Sequence, residues 1–263
     1  MDVSTFGDPG VSGHVFSLMI SHPRKAFLLA AGHGTRLRPL TDKVPKCLLP
    51  VRGIPMLQIW LERCERFGVE EVLINLHSHA DQVREFLHKN SSCKVRVQVS
   101  DEPVLLGSAG TVRANRSWVA HEQDFWIFYA DVLSDMDLNR LLQRHREMRA
   151  EATIGVYRVP DPSRCGIVQV DEDGWVTEFI EKPKIPKGNL AFSGILLTTS
   201  KFLDTIPDRI PADIGFDVLP RIAKLAAYEI DDYLIDVGTM ENYRSAQENW
   251  RRASTHITQE QNA

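Results

Sequence analysis

The sequence predicts an α/β protein, a three-layer α/β/α sandwich around a mixed, mostly parallel sheet. Three observations lead there. Residues 26–31 form a short apolar run stopped by Gly32 and Gly34, the pattern of a parallel strand buried on both faces. From Lys25 onward apolar strands alternate with amphipathic helices, as layered α/β architectures require. Past residue 165 the pattern changes to two alternating strands joined around Asp173-Gly174, a hairpin signal that adds antiparallel character.

The elements follow in order. Residues 1–22 mix Gly, Ser and Pro with no sustained period and read as a mobile tail, and whether Met1 or Met19 is the true start stays open. "PMLQIWLERCERFG" is a helix with Leu57, Leu61, Cys64 and Phe67 on one face, Pro55 in its first turn and Gly68 at its stop. "EVLINL" is a strand, "HADQVREFLHK" a helix, "KVRVQVS" a strand and "DFWIFYAD" a buried central strand. "LNRLLQRHREMR" is a helix carrying Leu138, Leu141, Leu142 and His145 on its apolar side, and "ATIGVYRV" is the strand after it. In the second half, "GIVQVDEDGWVTEFIEKP" is the hairpin, "LAFSGILLTT" a strand, "FDVLPRIAKLAAY" a helix and "TMENYRSAQENWRR" a closing helix capped by Thr239. One domain over residues 23–252 and a second tail over 253–263 complete the organisation.

Composition narrows the partners. The chain has 263 residues with 31 basic against 35 acidic, a net charge of -4, and no basic block suited to a nucleic-acid groove. No apolar run approaches a membrane span and the first residues lack a secretory pattern, so a cytoplasmic protein without a membrane partner is expected. The cysteines at 47, 64, 93 and 165 have no metal-binding spacing and read as buried reduced thiols. His77 and His79 are expected to open a helix rather than hold a metal.

The loop after the first strand carries the most chemistry. Two glycines allow close backbone approach and can line an anion-binding concavity, Thr35 adds a hydroxyl and Arg36 a forked cation. Leu37 stands where the dinucleotide fingerprint needs a third glycine, and no Gly-Lys-Ser/Thr follows as in a P-loop. A phosphate binder of another kind is implied.

Read whole, "LAAGHGTRLRPLT" followed by "PKCLLPV" resembles the signature of the sugar-1-phosphate nucleotidyltransferases, which join a nucleoside triphosphate to a sugar 1-phosphate and release pyrophosphate. The resemblance runs from about Lys25 to Trp250 and implies a Rossmann-like three-layer fold, the nucleotide-diphospho-sugar transferase fold. It implies that Gly32, Gly34, Thr35, Arg36 and Lys46 hold the triphosphate, Arg36 and Lys46 acting as catalytic cations, and that the backbone around Leu28, Ala30 and Ala31 lies against the nucleotide. "DEPVLLGSAGTV" resembles the loop beside base and ribose. Gly107, Ser108, Ala109 and Gly110 would read a base edge through backbone groups there, and Glu102 would accept from a ring N–H, though the stretch also reads as a helix start. "FIEKP" resembles the sugar-phosphate element, with Lys182 as the cation on the attacking phosphate and Glu181 accepting from sugar hydroxyls. Gly166 would let the backbone pass close to the sugar, and Ser193 and Gly194 fall in "FSGI", where many relatives have Asn-Ala-Gly.

Bringing the two substrates together packs about four negative charges against nearly two. The resemblance therefore implies Mg²⁺, held by Asp131 at the end of "FWIFYAD" and Asp236 in "DVGTMENY" together with substrate oxygens. "LAAG", "RLRPLT" and "GSAG" lean toward GTP with a mannose- or heptose-type 1-phosphate, "FSGI" toward uridylyl transfer to amino-sugar phosphates, and both stay open, as does a homodimer. A non-catalytic nucleotide-sugar sensor is the rival from another class, and it would be expected to lose a metal acid or a phosphate cation that this chain keeps.

Overall fold

The computed structural model describes residues 22–90 and 93–251, so the two stretches read as tails lie outside the described residues but for His22. In chain order the elements are β1 (Lys25–Leu29), β2 (Pro50–Val51), β3 (Ile54–Pro55), α1 (Met56–Arg66), β4 (Glu71–Leu76), α2 (Ala80–Lys89), β5 (Arg96–Asp101) and α3 (Ser108–Ala114). There follow β6 (Asp124–Tyr129), β7 (Val132–Ser134), α4 (Leu138–Met148), β8 (Ala152–Arg158), β9 (Gly166–Val170), β10 (Val176–Glu181) and β11 (Leu190–Thr199). The chain ends with α5 (Phe202–Thr205), β12 (Leu225–Glu229), β13 (Leu234–Asp236) and α6 (Met240–Asn249).

Among the described residues nine strands form the main sheet, in the order β10-β9-β11-β6-β1-β4-β5, with β8 beside β11 and β12 beside β8. β1, β4, β5 and β6 are mutually parallel neighbours, while β11 runs antiparallel to β6, β8 and β9. With β12 parallel to β8 and β10 antiparallel to β9, only β10 and β11 oppose the common direction. The sheet is thus mixed and mostly parallel. β7 and β13 make a separate antiparallel pair that sets Val132 opposite Asp236.

The three layers follow from the strand period. Ala26 and Leu28 point into one apolar cluster with Leu57, Trp60 and Leu61 of α1 and Leu138, Leu141 and Leu142 of α4. Phe27 between them points to the other side, where Ala109 and Val112 of α3, Phe202 of α5 and Val218 cover the sheet. Helix α6 packs across Leu37, Val51 and Met56, holding the loop after β1 in place, and its Thr239 hydroxyl accepts from the Asn242 amide at 3.2 Å as the expected cap.

One stretch departs from the sequence reading. Residues 216–228 are not a helix: Ile214–Val218 is a single π-type turn, Leu219–Arg221 a 3₁₀ turn, and Leu225–Glu229 the strand β12. Pro220 interrupts any continuous helical ladder, and the edge of β8 supplies β12 with a parallel partner that local spacing does not reveal. Pro55 precedes α1 as its N-cap rather than sitting in its first turn.

Candidate active site

The carboxyl ends of β1, β4, β5 and β6 share one edge of the sheet, the place where open α/β sheets bind ligands. A cleft of about 580 Å³ opens beside that edge and brings Arg36, Asp131, Glu181, Lys182, Ser193 and Asp236 together. A smaller hollow of about 30 Å³ next to it is lined by Ala30, Gly32, Lys46 and Asp131. Residues far apart in sequence, Arg36, Glu181 and Asp236 among them, thus meet in one depression.

At the seam Lys46 Nζ donates to Asp131 Oδ2 at 2.5 Å, with its side chain 10 % exposed. The Val237 amide donates to the Asp131 carbonyl at 2.8 Å, which sets Asp236 beside Asp131. Burial, and then the neighbouring Asp131, raise the Asp236 carboxyl to about 6, against the opposing pull of Lys46 and Arg36. Asp236 Oδ1 is buried with no hydrogen-bond partner among the described residues. A Cβ on Gly238 would fall 2.8 Å from that oxygen and 3.0 Å from Arg36 Nη2, so this glycine leaves the space between guanidinium and carboxylate open. Two adjacent acids, one with an orphaned oxygen, beside two cations fit a hard divalent ion completed by substrate oxygens. Among the described residues there is no group of three or more metal-ligating side chains, so protein ligands alone do not complete such a site.

Across the cleft lies the sugar-phosphate side of the sequence reading. Lys182 adopts φ 48°, a left-handed conformation unusual for a lysine, and its ammonium sits 3.4 Å from Glu181 Oε1 and 5.4 Å from the centre of the Phe216 ring. Burial raises the Glu181 carboxyl, Lys182 offsets this in part, and Asp213 adds to it. A Cβ on Gly166 or on Gly215 would fall 2.6 or 2.4 Å from Glu181 Oε2. Gly166 lines the cleft and makes room for that carboxylate. Ser193 is 3 % exposed, and its Oγ accepts from the Ile195 amide at 3.2 Å, beside Gly194 at φ 81°. Phe192 packs edge-on to Tyr129 and gives the cleft an aromatic wall.

The base-reading residues need the largest corrections. Glu102 is 3 % exposed and its carboxylate is occupied internally: Asn75 Nδ2 donates at 2.9 Å, Thr111 Oγ1 at 2.5 Å and the Leu106 amide at 3.1 Å. It braces the loop instead of facing a base. The Ala109 and Gly110 amides donate to the Ala212 carbonyl at 3.0 and 3.1 Å, so they are not presented to a ligand either. Leu28 is fully buried and its strand is paired on both sides, which keeps it from a nucleotide, whereas Ala30 at the strand's end donates its amide to Asn75 Oδ1 at 2.7 Å. Ala31 follows at 8 % exposure, then Gly32 and Thr35 exposed on the loop, with Gly34 at φ 63° held where its carbonyl accepts from Thr41 Oγ1.

Other expectations resolve more simply. Cys47 and Cys64 are buried, but Cys93 and Cys165 are only half-buried, and Cys165 lines the cleft, where burial and then Asp236 raise its thiol pKa. His79 stands at the N-cap position of α2 without a side-chain hydrogen bond to it, while His77 Nδ1 lies 2.7 Å from the Glu102 carbonyl. Sequence reasoning missed Tyr129, Tyr157, Arg164, Cys165, Asp213 and Gly215 as cleft residues. Only Gly166, next to Arg164-Cys165, hinted at any of them.

Residues 25–252 match the nucleotidyl transferase family. The chain belongs to that family. It is 35% identical over 226 residues to the probable mannose-1-phosphate guanylyltransferase 1 of Oryza sativa subsp. japonica, covering 83% of this chain and 62% of the relative. It is 31% identical over 230 residues to the mannose-1-phosphate guanylyltransferase of Mycobacterium tuberculosis, covering 86% and 64%. The chain thus spans a little over three fifths of the length of these curated relatives. HddC from Yersinia pseudotuberculosis, solved in complex with GMP-PN, superposes with a TM-score of 0.72 at 23% identity, covering 86% of this chain and 98% of that one. A putative glucose-1-phosphate thymidylyltransferase from Bacillus anthracis gives 0.77 at 23%, covering 88% and 97%. These likenesses establish the fold. No helix among the described residues is long and apolar enough to cross a membrane.

Proposed function

We propose that this chain transfers a nucleotidyl group from a nucleoside triphosphate to a sugar 1-phosphate, GTP and a mannose- or heptose-type 1-phosphate being the first pairing to expect. The observation that carries the reading is that Arg36, Glu181 and Lys182 line one cleft with Asp131 and Asp236, while Lys46 lines the adjoining hollow and donates to Asp131. The guanylyltransferase names of the relatives favour GTP.

A sugar-phosphate oxygen attacks the α-phosphorus, a new P–O bond forms there, and the bond to the β-phosphate breaks with its electron pair leaving on pyrophosphate. That nucleophile is ionised near neutral pH, so no side-chain base is required, and positioning with charge stabilisation does the catalysis. Arg36 and Lys46 hold the triphosphate and the departing charge, Lys182 holds the sugar phosphate, and Glu181 accepts from sugar hydroxyls. Asp131 and Asp236 are the residues that would hold Mg²⁺, whose contribution is to neutralise phosphate charge. All these residues come from one chain, so the reading does not depend on a homodimer. Both substrates are polyanions that membranes exclude, which fits the cytoplasm.

A second pairing, uridylyl or thymidylyl transfer to an amino-sugar phosphate, is favoured by the aromatic wall at Phe192, which suits the cationic amino group of such a sugar. Magnesium-dependent pyrophosphate release across five nucleoside triphosphates and several sugar 1-phosphates decides. One pair should dominate, and no release with any pair would leave a nucleotide-sugar sensor as the better reading.

A further inference from the structure

Residues 212–216 reach the cleft from the second half of the chain, yet the polar groups that hold them belong largely to the loop 106–110. The Ala212 amide donates to the Leu106 carbonyl at 2.9 Å, and the Ala212 carbonyl accepts from Ala109 and Gly110. Ser108 Oγ donates to Asp213 Oδ2 at 2.9 Å and accepts from the Ile214 amide at 2.8 Å. Asp213 Oδ1 in turn accepts from the Gly215 and Phe216 amides at 2.9 and 3.1 Å. Both Asp213 oxygens are therefore occupied by internal donors, although the residue lines the cleft. The far end of this segment presses on the sugar side, because Gly215 approaches Glu181 Oε2 so closely that even a methyl group would not fit.

The near end continues into the nucleotide side. Leu106 donates to Glu102, Glu102 accepts from Asn75, and Asn75 accepts from the Ala30 amide where the glycine loop begins. One hydrogen-bonded chain thus runs from the start of the triphosphate loop to the wall behind Glu181. The Ser108–Asp213 contact, between residues 105 apart in sequence, runs beside its Leu106–Ala212 step. Two loops fixed through shared polar groups move together, since separating them leaves donors and acceptors unpaired.

We propose that the Ser108–Asp213 link is the tie by which a bound nucleoside triphosphate sets the Glu181 wall for the sugar phosphate, making both of them positioning residues for the second substrate. The proposal rests on the assignment of the cleft's two halves above. It requires that triphosphate occupancy be felt at 212–216 before any sugar phosphate arrives, and that damage on the base-loop side appear as a defect in sugar-phosphate use.

Hydrogen exchange of the full chain with and without magnesium and GTP, UTP or dTTP reads the first requirement, with calorimetry showing which of them binds. The triphosphate that binds should slow exchange at amides 212–216 in the wild type and not in Ser108→Ala. The second requirement is kinetic. Ser108→Ala should raise the KM of the panel's preferred sugar 1-phosphate about tenfold, the size expected for one hydrogen bond to a charged group. Ser108→Thr, which keeps the hydroxyl, should restore it, and Asp213→Asn should add little once Ser108 is alanine. Binding without protection at 212–216, or a Ser108→Ala defect confined to triphosphate affinity, overturns the tie while leaving the proposed reaction standing. If no triphosphate binds, the proposed reaction itself fails and the coupling falls with it. The unliganded exchange would still show whether Ser108→Ala loosens both 106–110 and 212–216.

Discussion

Burial of Asp236 beside Asp131 holds its carboxyl at about 6, above an ordinary value of 3.8, so the folded chain keeps this proton more tightly than the unfolded chain does. The stability this contributes is fully present below about pH 4 and is lost as the pH rises through about 6. Thermal unfolding of metal-free wild type and Asp236→Asn reads it directly, because the variant is neutral at every pH and nearly isosteric. The wild-type Tm should fall relative to the variant between about pH 4 and about pH 7. Parallel curves would show that Asp236 titrates normally and that its orphaned oxygen is not strained toward a cation. Lys46 moderates the effect by pairing with Asp131, which leaves Asp236 as the acid with unmet demand. Asp131, Asp236, Arg36 and Lys46 were all legible, since each lies in a short motif whose spacing survives in the chain. Asp213 and Asn75 were not, because nothing local distinguishes an aspartate or asparagine whose importance comes from a partner many residues away.

Elements divide along the same line. The strands and helices of the first half were readable because each carries its own period and stop signal, and the Asp173-Gly174 turn marked the hairpin of β9 and β10. Residues 216–228 were misread because Phe216, Leu219 and Ile222 mimic helical spacing, while the real determinants are Pro220 and pairing with β8. That error hid the loop 212–216 and with it the fate of the α3 amides. At the entry to α3, Gly107 has φ 81°, and a Cβ there would lie 2.3 Å from the Ala212 carbonyl oxygen. Gly107→Ala therefore meets both backbone strain and a contact with rigid main chain, for a loss of about 2 kcal/mol or more. For a chain of this size the Tm should drop by roughly 4–8 °C. An unchanged melting curve would mean that the 106–110 and 212–216 loops are not packed as described.

For the molecule as a whole, the common direction of most strands gathers loops from both halves of the chain at one edge, and the site is the seam between them. Lys46 belongs to the first half, 10 % exposed and bound to Asp131, whereas Lys182 belongs to the hairpin half, 57 % exposed and held by its left-handed backbone over Phe216. The two lysines should therefore fail in different ways. Lys46→Ala removes a nearly buried cation from the side proposed for the triphosphate and leaves Asp131 without its counterion. It should weaken GTP binding in the presence of magnesium by about 10- to 100-fold, the range for a lost hydrogen bond between charged groups. Lys182→Ala should leave that affinity within about twofold, because an exposed cation across the cleft adds little through screened solvent, and should appear instead as a higher sugar-phosphate KM. Calorimetric titration of GTP into each variant, followed by steady-state kinetics in the sugar phosphate, separates the cases. Equal losses of GTP affinity would place both lysines on the triphosphate and remove the division into halves on which the proposed reaction depends.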